Sequence, residues 1–435
     1  MVSRVETAMV KLWGHDVGAL AWLPEREYAM FEYEPSFLKR GLDIAPLHMS
    51  LQQAQRGDGI FSFPSLNKDT FLGLPGMLAD ALPDKFGNLV IDAWLARNGR
   101  DRFSFSPVER LCYSGQRGMG ALEFEPAVNK AFNTSVPLEI SELVALAQHI
   151  TQEKNNLQVE VGKSEQQNRE ALNDILRVGT SAGGARAKAV IAINDQGEVR
   201  SGQVQAPPGF DYWILKFDGV TDAELGEPQS FGRIEYAYYL MALAAGIHMS
   251  PCVLLEENGR AHFMTKRFDR VAGEKIHMQT LCGLAHFDYN QAGAYSYEQA
   301  FQVMRQLRLS KLDAAQLFRR LVFNVVARNL DDHTKNISFL MANNGQWRLS
   351  PAYDMTYAHN PAGQWTNQHQ MSINGKRDHI TTADLLSIAD SIRLKKAQTM
   401  IDEIQHAIQN WREFAHEAGI NQLLIKNIEK NFHYI

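Results

Sequence analysis

In the stretch N-L-D-D-H-T-K-N-I-S-F-L (329–340), Asp331 and Asn336 stand five residues apart, and Asp354 follows beyond two short apolar runs. Transfer of a phosphoryl group asks for such a set: one carboxylate to orient or deprotonate the acceptor hydroxyl, a neutral oxygen to hold Mg2+, and a second carboxylate to join the metal to the phosphates. Asp and Asn are also common in solvent loops for their turn chemistry alone. Placement separates the two readings. The stretch follows a helical stripe through Leu317, Phe318, Leu321, Val322, Val325 and Val326, and it leads into a hairpin of I-S-F-L-M and W-R-L-S around A-N-N-G-Q.

The same five-residue offset separates the catalytic Asp from the metal-binding Asn in protein kinases. Those enzymes also need a cation for the α- and β-phosphates, a strand Lys paired with a helical Glu. W-I-L-K-F (213–217) offers Lys216, and Glu235 opens the next helix, expected over Glu235–Gly246 with Gly246 as its C-cap. A Lys at a strand end can equally carry its charge out to solvent. Ahead of Lys216 lies G-T-S-A-G-G-A-R-A-K (179–188), which is neither a Walker A sequence nor G-x-G-x-x-G. Gly183 and Gly184 would let backbone N–H groups turn toward an anion, with Arg186 or Lys188 adding charge.

The elements that must position these residues are legible in outline. V-K-L-W-G and A-L-A-W-L predict two strands around Gly14-His15-Asp16, and Leu78–Leu95 carries a helical stripe broken at Pro83. The stretch 125–137 is irregular, and the two segments after it predict helices, P-L-E-I-S-E-L-V-A-L-A-Q-H-I and a charged one ending R-E-A-L-N-D-I-L-R. From Gly179 onward come the strands A-V-I-A-I, W-I-L-K-F and C-V-L-L-E, with Asn258-Gly259 as a hairpin turn. After Arg270 helices dominate, and the tail helix starts at an N-cap of Thr381 or Thr382. The sum is an α+β chain in two lobes.

Composition narrows the classes. With 45% apolar and 21% charged residues over 435 positions, disorder, collagen and coiled coil are excluded. Lys and Arg total 44 against 49 Asp and Glu, so no overall field draws the protein onto nucleic acid or an acidic membrane. Cys112, Cys252 and Cys282 lack Cys-x-x-Cys spacing, which argues against a disulfide framework or the usual zinc site and fits a reducing compartment. The N-terminal stretch has no apolar h-region and no run approaches 18 apolar residues, so the expected location is cytoplasmic, with no membrane contact.

Taken in order, G-T-S-A-G-G-A-R-A-K, I-L-K-F, I-E-Y-A-Y-Y-L, K-R-F-D-R, D-D-H-T-K-N and L-S-P-A-Y-D-M resemble the HipA-type serine/threonine kinases, toxins of bacterial toxin–antitoxin pairs. F-E-Y-E-P-S-F-L, L-A-D-A-L-P-D and R-G-M-G-A-L-E-F resemble that family's N-terminal subdomain, so the similarity spans nearly the whole chain. D-D-H-T-K-N is also similar to the D-x-H-x-x-N of phosphatidylinositol kinases. The resemblance implies a bilobal, protein-kinase-like α+β fold: a β-rich N-terminal subdomain (1–128), a kinase N-lobe core with the glycine-rich loop (129–265), and a helical C-lobe (266–435). It implies ATP and Mg2+ as cofactors, a protein substrate, and growth inhibition relieved by a HipB-like helix-turn-helix antitoxin through which alone DNA is reached. Residue by residue it makes Asp331 the catalytic carboxylate, Lys216 the ATP-phosphate ligand, and Asn336 and Asp354 the metal ligands. His333 and Lys335 would lie beside the phosphates. Lys266, Arg267 and Phe268 would form the hinge that holds adenine through backbone groups and an aromatic face, and Ser181 would be the autophosphorylated serine of the glycine-rich loop. The chain departs from the family at Lys266, where an acidic residue is common, and at Asp332, where a small one is usual. A small-molecule or lipid kinase shares the catalytic-loop pattern, and a non-catalytic pseudokinase that only docks a repressor is the other alternative.

Asp332 is expected to be a solvated loop carboxylate, and His286, with no ligand partner at useful spacing, a hydrogen-bonded core or surface histidine. Arg393, Lys395 and Lys396 form a short basic patch at a helix start, most simply a solvated face. Trp347 and Trp365 are candidates for packing or for a substrate groove.

Overall fold

Alternation sets the first sheet. In Thr7–Leu12 the side chains of Ala8, Val10 and Leu12 point inward while their neighbours face out. The computed structural model describes residues 4–57, 59–128, 135–152, 186–220 and 230–435. They fall into two units: one comprises 1–43, 49–229 and 253–278, the other 44–48, 230–252 and 279–435. The first unit thus takes in most of both segments that the sequence divides at 128, while 230–252 goes with the second.

The first unit holds two five-stranded sheets. In one, Ile60–Phe61, Tyr28–Tyr33, His15–Leu23, Thr7–Leu12 and Leu122–Glu125 lie side by side in that order, antiparallel throughout. Its first turn is Trp13-Gly14, both at positive φ, so His15 and Asp16 already belong to the strand. The helix Pro107–Ser114 packs on this sheet and begins with a capping box of Ser106 and Glu109.

The second sheet runs Val199–Ser201, Lys188–Asn194, Phe210–Lys216, Arg260–Lys266, Cys252–Glu257. Asn258 (φ 47°) and Gly259 (φ 78°) make the expected two-residue turn. Its core includes Ala189, Ile191, Leu215 and Met264, with Val90, Ile91 and Leu95 of the helix Lys85–Arg97 and Leu143 and Val144 of the helix Ile140–Gln152. Both helices match the sequence reading, including the break before Lys85. The charged segment that follows Ile140–Gln152 lies outside the described residues.

The second unit is helical around one apolar core, crossed by the hairpin Ser338–Met341 and Trp347–Leu349. Its early helix spans Phe231–Ala244, so Glu235 sits one turn inside it rather than opening it. The apolar stripe starts only at Ile234, which is why the first turn is hard to read from sequence. Gly246 is the expected stop. At φ 71° it donates to Leu243, and Ile247 N–H returns to the Ala242 carbonyl, the paired bonds of a Schellman ending. Lys311–Val326 starts at a capping box of Ser310 and Asp313 and is buried along Leu317, Leu321 and Val325. Thr381 caps the helix Thr382–Ser391, again with a capping box, through Asp384. Among the described residues no helix is long and apolar enough to cross a membrane. All three cysteines are buried thiols.

Candidate active site

The helix Lys311–Val326 ends and Arg328 takes a left-handed conformation (φ 57°), which reverses the chain into the loop. The loop is then held at each step. Leu330 N–H donates to the Ala358 carbonyl (3.0 Å), and Ala358 N–H donates to the Arg328 carbonyl (3.1 Å). Asn336 Nδ2 donates to the Asp331 carbonyl at 2.8 Å, tying the two ends of the D-x-x-x-x-N segment. Between them Thr334 Oγ1 donates to the Phe287 carbonyl (2.7 Å), and Tyr353 OH donates to the Lys335 carbonyl (2.6 Å).

The Asp331 side chain is 49% exposed, with His333 Nε2 4.0 Å from Oδ1. Lys335 Nζ lies 4.5 Å from the Tyr289 ring centroid, and the His333 ring packs on the same tyrosine. Asp354 is left-handed (φ 52°), and its carbonyl is 3.5 Å from Asn329 Nδ2. Asn336, Asp354 and His333 line one cavity of about 20 Å³ together with Asp332, Asn324, Asn329, Arg320 and Tyr297. That is room for a water molecule. Arg320 is buried there, and its Nη2 donates to the Ser350 carbonyl (2.5 Å). Among the described residues Nε and Nη1 find no hydrogen-bond partner, and burial pulls the guanidinium pKa down to about 10.

The donor set fits Mg2+. With Nδ2 of Asn336 committed to Asp331, its Oδ1 would be the neutral oxygen donor to such an ion and Asp354, lining the same cavity, would supply a carboxylate. Mg2+ takes one or two protein oxygens and completes its shell with water and phosphate. Among the described residues there is no group of three or more His, Cys, Asp or Glu that could hold a metal.

Asp332 corrects an expectation. It is buried at 3% exposure rather than solvated, because Tyr297 OH, His369 Nδ1 and the Gln370 N–H all converge on its carboxylate. Asn324, Asn329, Tyr297 and Arg320 were not singled out in the sequence. The available signal was a polar Asn324 and Arg320 inside an otherwise apolar helical run.

In the first unit, Lys216 ends its strand opposite Lys188 and Phe263, with Nζ 5.7 Å from the Phe263 ring. Lys188, read as a possible anion-binding charge, is buried and lies 3.3 Å from Asp84 Oδ2, so its charge faces a carboxylate inside the fold. Lys266 pairs with Asp211 (2.7 Å), and Phe268 is half-buried. Arg267 donates its backbone N–H to the Tyr212 carbonyl (2.8 Å), and its guanidinium grips Asp269. Asp269 also accepts from Arg270 Nη1 (2.8 Å) and Gly120 N–H (2.7 Å), and Arg270 reaches the Gly118 and Gly120 carbonyls. Gly120 has φ 70°, and a Cβ there would lie 3.0 Å from Met278 N.

Ser181 and the glycine-rich stretch through 185 lie outside the described residues. His286 stacks on His48 with centroids 4.0 Å apart, and burial pushes it down to about 3, the behaviour of a packed neutral histidine. Trp347 packs against the core of the second unit, whereas Trp365 is 47% exposed. Lys396 precedes the helix Ala397–Gln409 as its N-cap.

Comparison with known proteins places this arrangement. A HipA–HipB–operator DNA complex from Shewanella oneidensis MR-1 contains a chain that superposes with a TM-score of 0.66 at 15% identity, covering 97% of this chain and 95% of that one. The fold is therefore the α+β, kinase-like fold of HipA. The model of the HipA N-terminal domain matches residues 8–125, and that of the HipA-like C-terminal domain matches residues 180–411. The chain belongs to the HipA family. Y4mE of Sinorhizobium fredii, named as a candidate kinase, is 25% identical over 265 residues, 57% of this chain and 52% of that protein. The chain thus spans about half the length of that curated relative.

Proposed function

We propose that the protein is an ATP- and Mg2+-dependent protein serine/threonine kinase, the toxin of a toxin–antitoxin pair. The observation that carries the reading is the closed catalytic loop: Asn336 ties itself to the Asp331 carbonyl while the Asp331 carboxylate stays half in solvent. Asp331 orients the acceptor hydroxyl and takes its proton as the acceptor oxygen bonds to the γ-phosphorus of ATP and the bond from that phosphorus to the β–γ bridging oxygen breaks, releasing ADP. Asn336 and Asp354 would hold Mg2+, which when bound would supply charge neutralisation at the phosphates. Lys216 serves the α- and β-phosphates. His333 and Lys335 stand beside the transferring group, and the backbone of Lys266 and Phe268 addresses adenine. With the loop fixed beforehand, positioning and charge neutralisation supply most of the acceleration. The Shewanella HipA was solved with HipB and operator DNA, which supports a HipB-like antitoxin as partner here, with DNA reached through it.

Incubating the protein with radiolabelled ATP and a cell lysate tests the activity. Label on serine or threonine of a lysate protein supports the reading, whereas label only in lipid or small molecules replaces the acceptor class. Thermal melting tests the metal: ATP should stabilise the protein clearly with Mg2+ and only modestly without it. Equal shifts in both conditions would remove Asn336 and Asp354 from the metal.

Ser181 is proposed as the self-modified serine. A phosphate adds roughly −1.5 to −2 charges at pH 7 and would repel a bound triphosphate, so the modified enzyme loses ATP binding. Mass spectrometry after incubation with Mg2+ and ATP should find phosphate on the Ser181 peptide of the wild type and not of Asp331→Asn. Phosphate on Thr180 alone, or none, refutes it.

A further inference from the structure

The carboxylate of Asp332, next to Asp331, accepts three hydrogen bonds. Asp332 Oδ1 accepts the Gln370 N–H at 2.7 Å, and Oδ2 accepts Tyr297 OH at 2.9 Å and His369 Nδ1 at 2.8 Å. The side chains of Asp332 and His369 are each 1% exposed. Burying an ionised carboxylate is expensive unless donors replace its water, and here three do so. Burial, with Asp332 beside it, also holds the Tyr297 phenol well above its usual range, so it remains a donor.

These donors are themselves fixed. His369 N–H donates to the Arg377 carbonyl (2.9 Å), Arg377 Nε donates back to His369 (2.6 Å), and Gly293 N–H donates to the Gln370 carbonyl (2.8 Å). On the other side Tyr297 OH accepts from Asn324 Nδ2 (3.1 Å), and Asn324 Oδ1 accepts from Asn329 Nδ2 (2.9 Å), the group that faces the Asp354 carbonyl. One polar chain therefore runs from the 369–370 segment through Asp332 to the turn that bears Asp354.

We propose that Asp332 is a positioning residue that sets the Asp331 carboxylate in place and fixes it relative to Asp354. Asp331 is then held on three sides: Leu330 bonds Ala358, its own carbonyl bonds Asn336, and Asp332 is anchored. This rests on Asp331 being the phosphotransfer carboxylate, as proposed above.

The test is Asp332→Asn, which keeps the size but sets an NH2 group against at least one donor. Misplacement of a reacting group by about 1 Å can cost on the order of 100-fold, so kcat should fall about 10- to 100-fold while KM for ATP stays near the wild-type value. His369→Leu should lower kcat in the same way, and His369→Asn, which can donate from nearly the same place, should recover most of that loss. If Asp332→Asn does not fold, Tyr297→Phe removes a single donor and should show the same split in a milder form. Hydrogen exchange supplies a readout independent of activity: the amides of 329–336 and of Gln370 should exchange at least about tenfold faster in Asp332→Asn, as expected for a local opening. A folded Asp332→Asn with wild-type kcat overturns the proposal, as does one whose KM for ATP rises as far as kcat falls. If the wild type transfers no phosphate, the kinase reading fails by itself and exchange alone decides the anchor, with unchanged protection overturning it.

Discussion

Asp331→Asn should lower phosphotransfer by about 10² to 10⁴-fold while leaving nucleotide affinity close to wild type. The amide has nearly the shape of the carboxylate, and the backbone that places it is unaffected: the Asp331 carbonyl still accepts from Asn336, and Leu330 still bonds Ala358. What disappears is the ability to take a proton from the acceptor hydroxyl. Initial rates with saturating ATP, paired with a nucleotide titration, read the two quantities separately. A parallel loss of affinity would assign Asp331 to the metal instead, and a retained rate would remove it from the chemistry. If expression of the wild type arrests growth, the same substitution should release it.

The second large effect is on stability. Asp269→Ala should destabilise the first unit by about 3–5 kcal/mol, because it leaves two buried guanidiniums without their shared counter-charge. Arg267 and Arg270 are both buried, and the carbonyls of Gly118, Gly120 and Gly202 can accept from them but cannot neutralise them. A urea midpoint that barely moves would show the cluster to be dispensable. The pH dependence has a definite sign. Burial is the largest single influence on Asp269 and acts to raise its pKa, but Arg267, Arg270 and the Gly120 N–H together outweigh it and hold the carboxyl well below the ordinary range. The unfolded chain therefore binds a proton near pH 3.9 that the folded one refuses, so this stabilisation is present above about pH 3.9 and fades as pH falls further. The gap between wild type and Asp269→Ala should accordingly narrow in melts at pH 3.

The closed geometry of the D-x-x-x-x-N loop was legible because it is local. A five-residue offset is what lets Asn336 reach back to the Asp331 carbonyl, and the turn Asn258-Gly259 and the stop at Gly246 are likewise written within a few positions. Asp332 and Lys188 were misread for the opposite reason. The donors to Asp332 come from 35, 37 and 38 positions away, and Asp84 is more than a hundred residues before Lys188. A loop aspartate or a lysine beside a strand looks solvated until the fold supplies its surroundings. Arg267 shows a third case, since a motif that suggests a nucleotide hinge also contains, in Arg267, Asp269 and Arg270, the ion cluster that joins distant segments of its own unit.

The division of the chain between two units bears on how it is made. Residues 44–48 and 230–252 belong with 279–435, so neither unit is a continuous piece of polypeptide. As the ribosome works from the N-terminus, the helix Phe231–Ala244 emerges long before most of the core that buries it. Tyr238 packs edge-on against Trp411, with centroids 5.5 Å apart, and Trp411 follows it by 173 residues. At roughly 5–20 residues per second, that apolar face waits on the order of 10 to 35 s for its cover. For that interval the growing chain is a natural client for a chaperone, and a message cut short within it yields a helix with nothing to pack against.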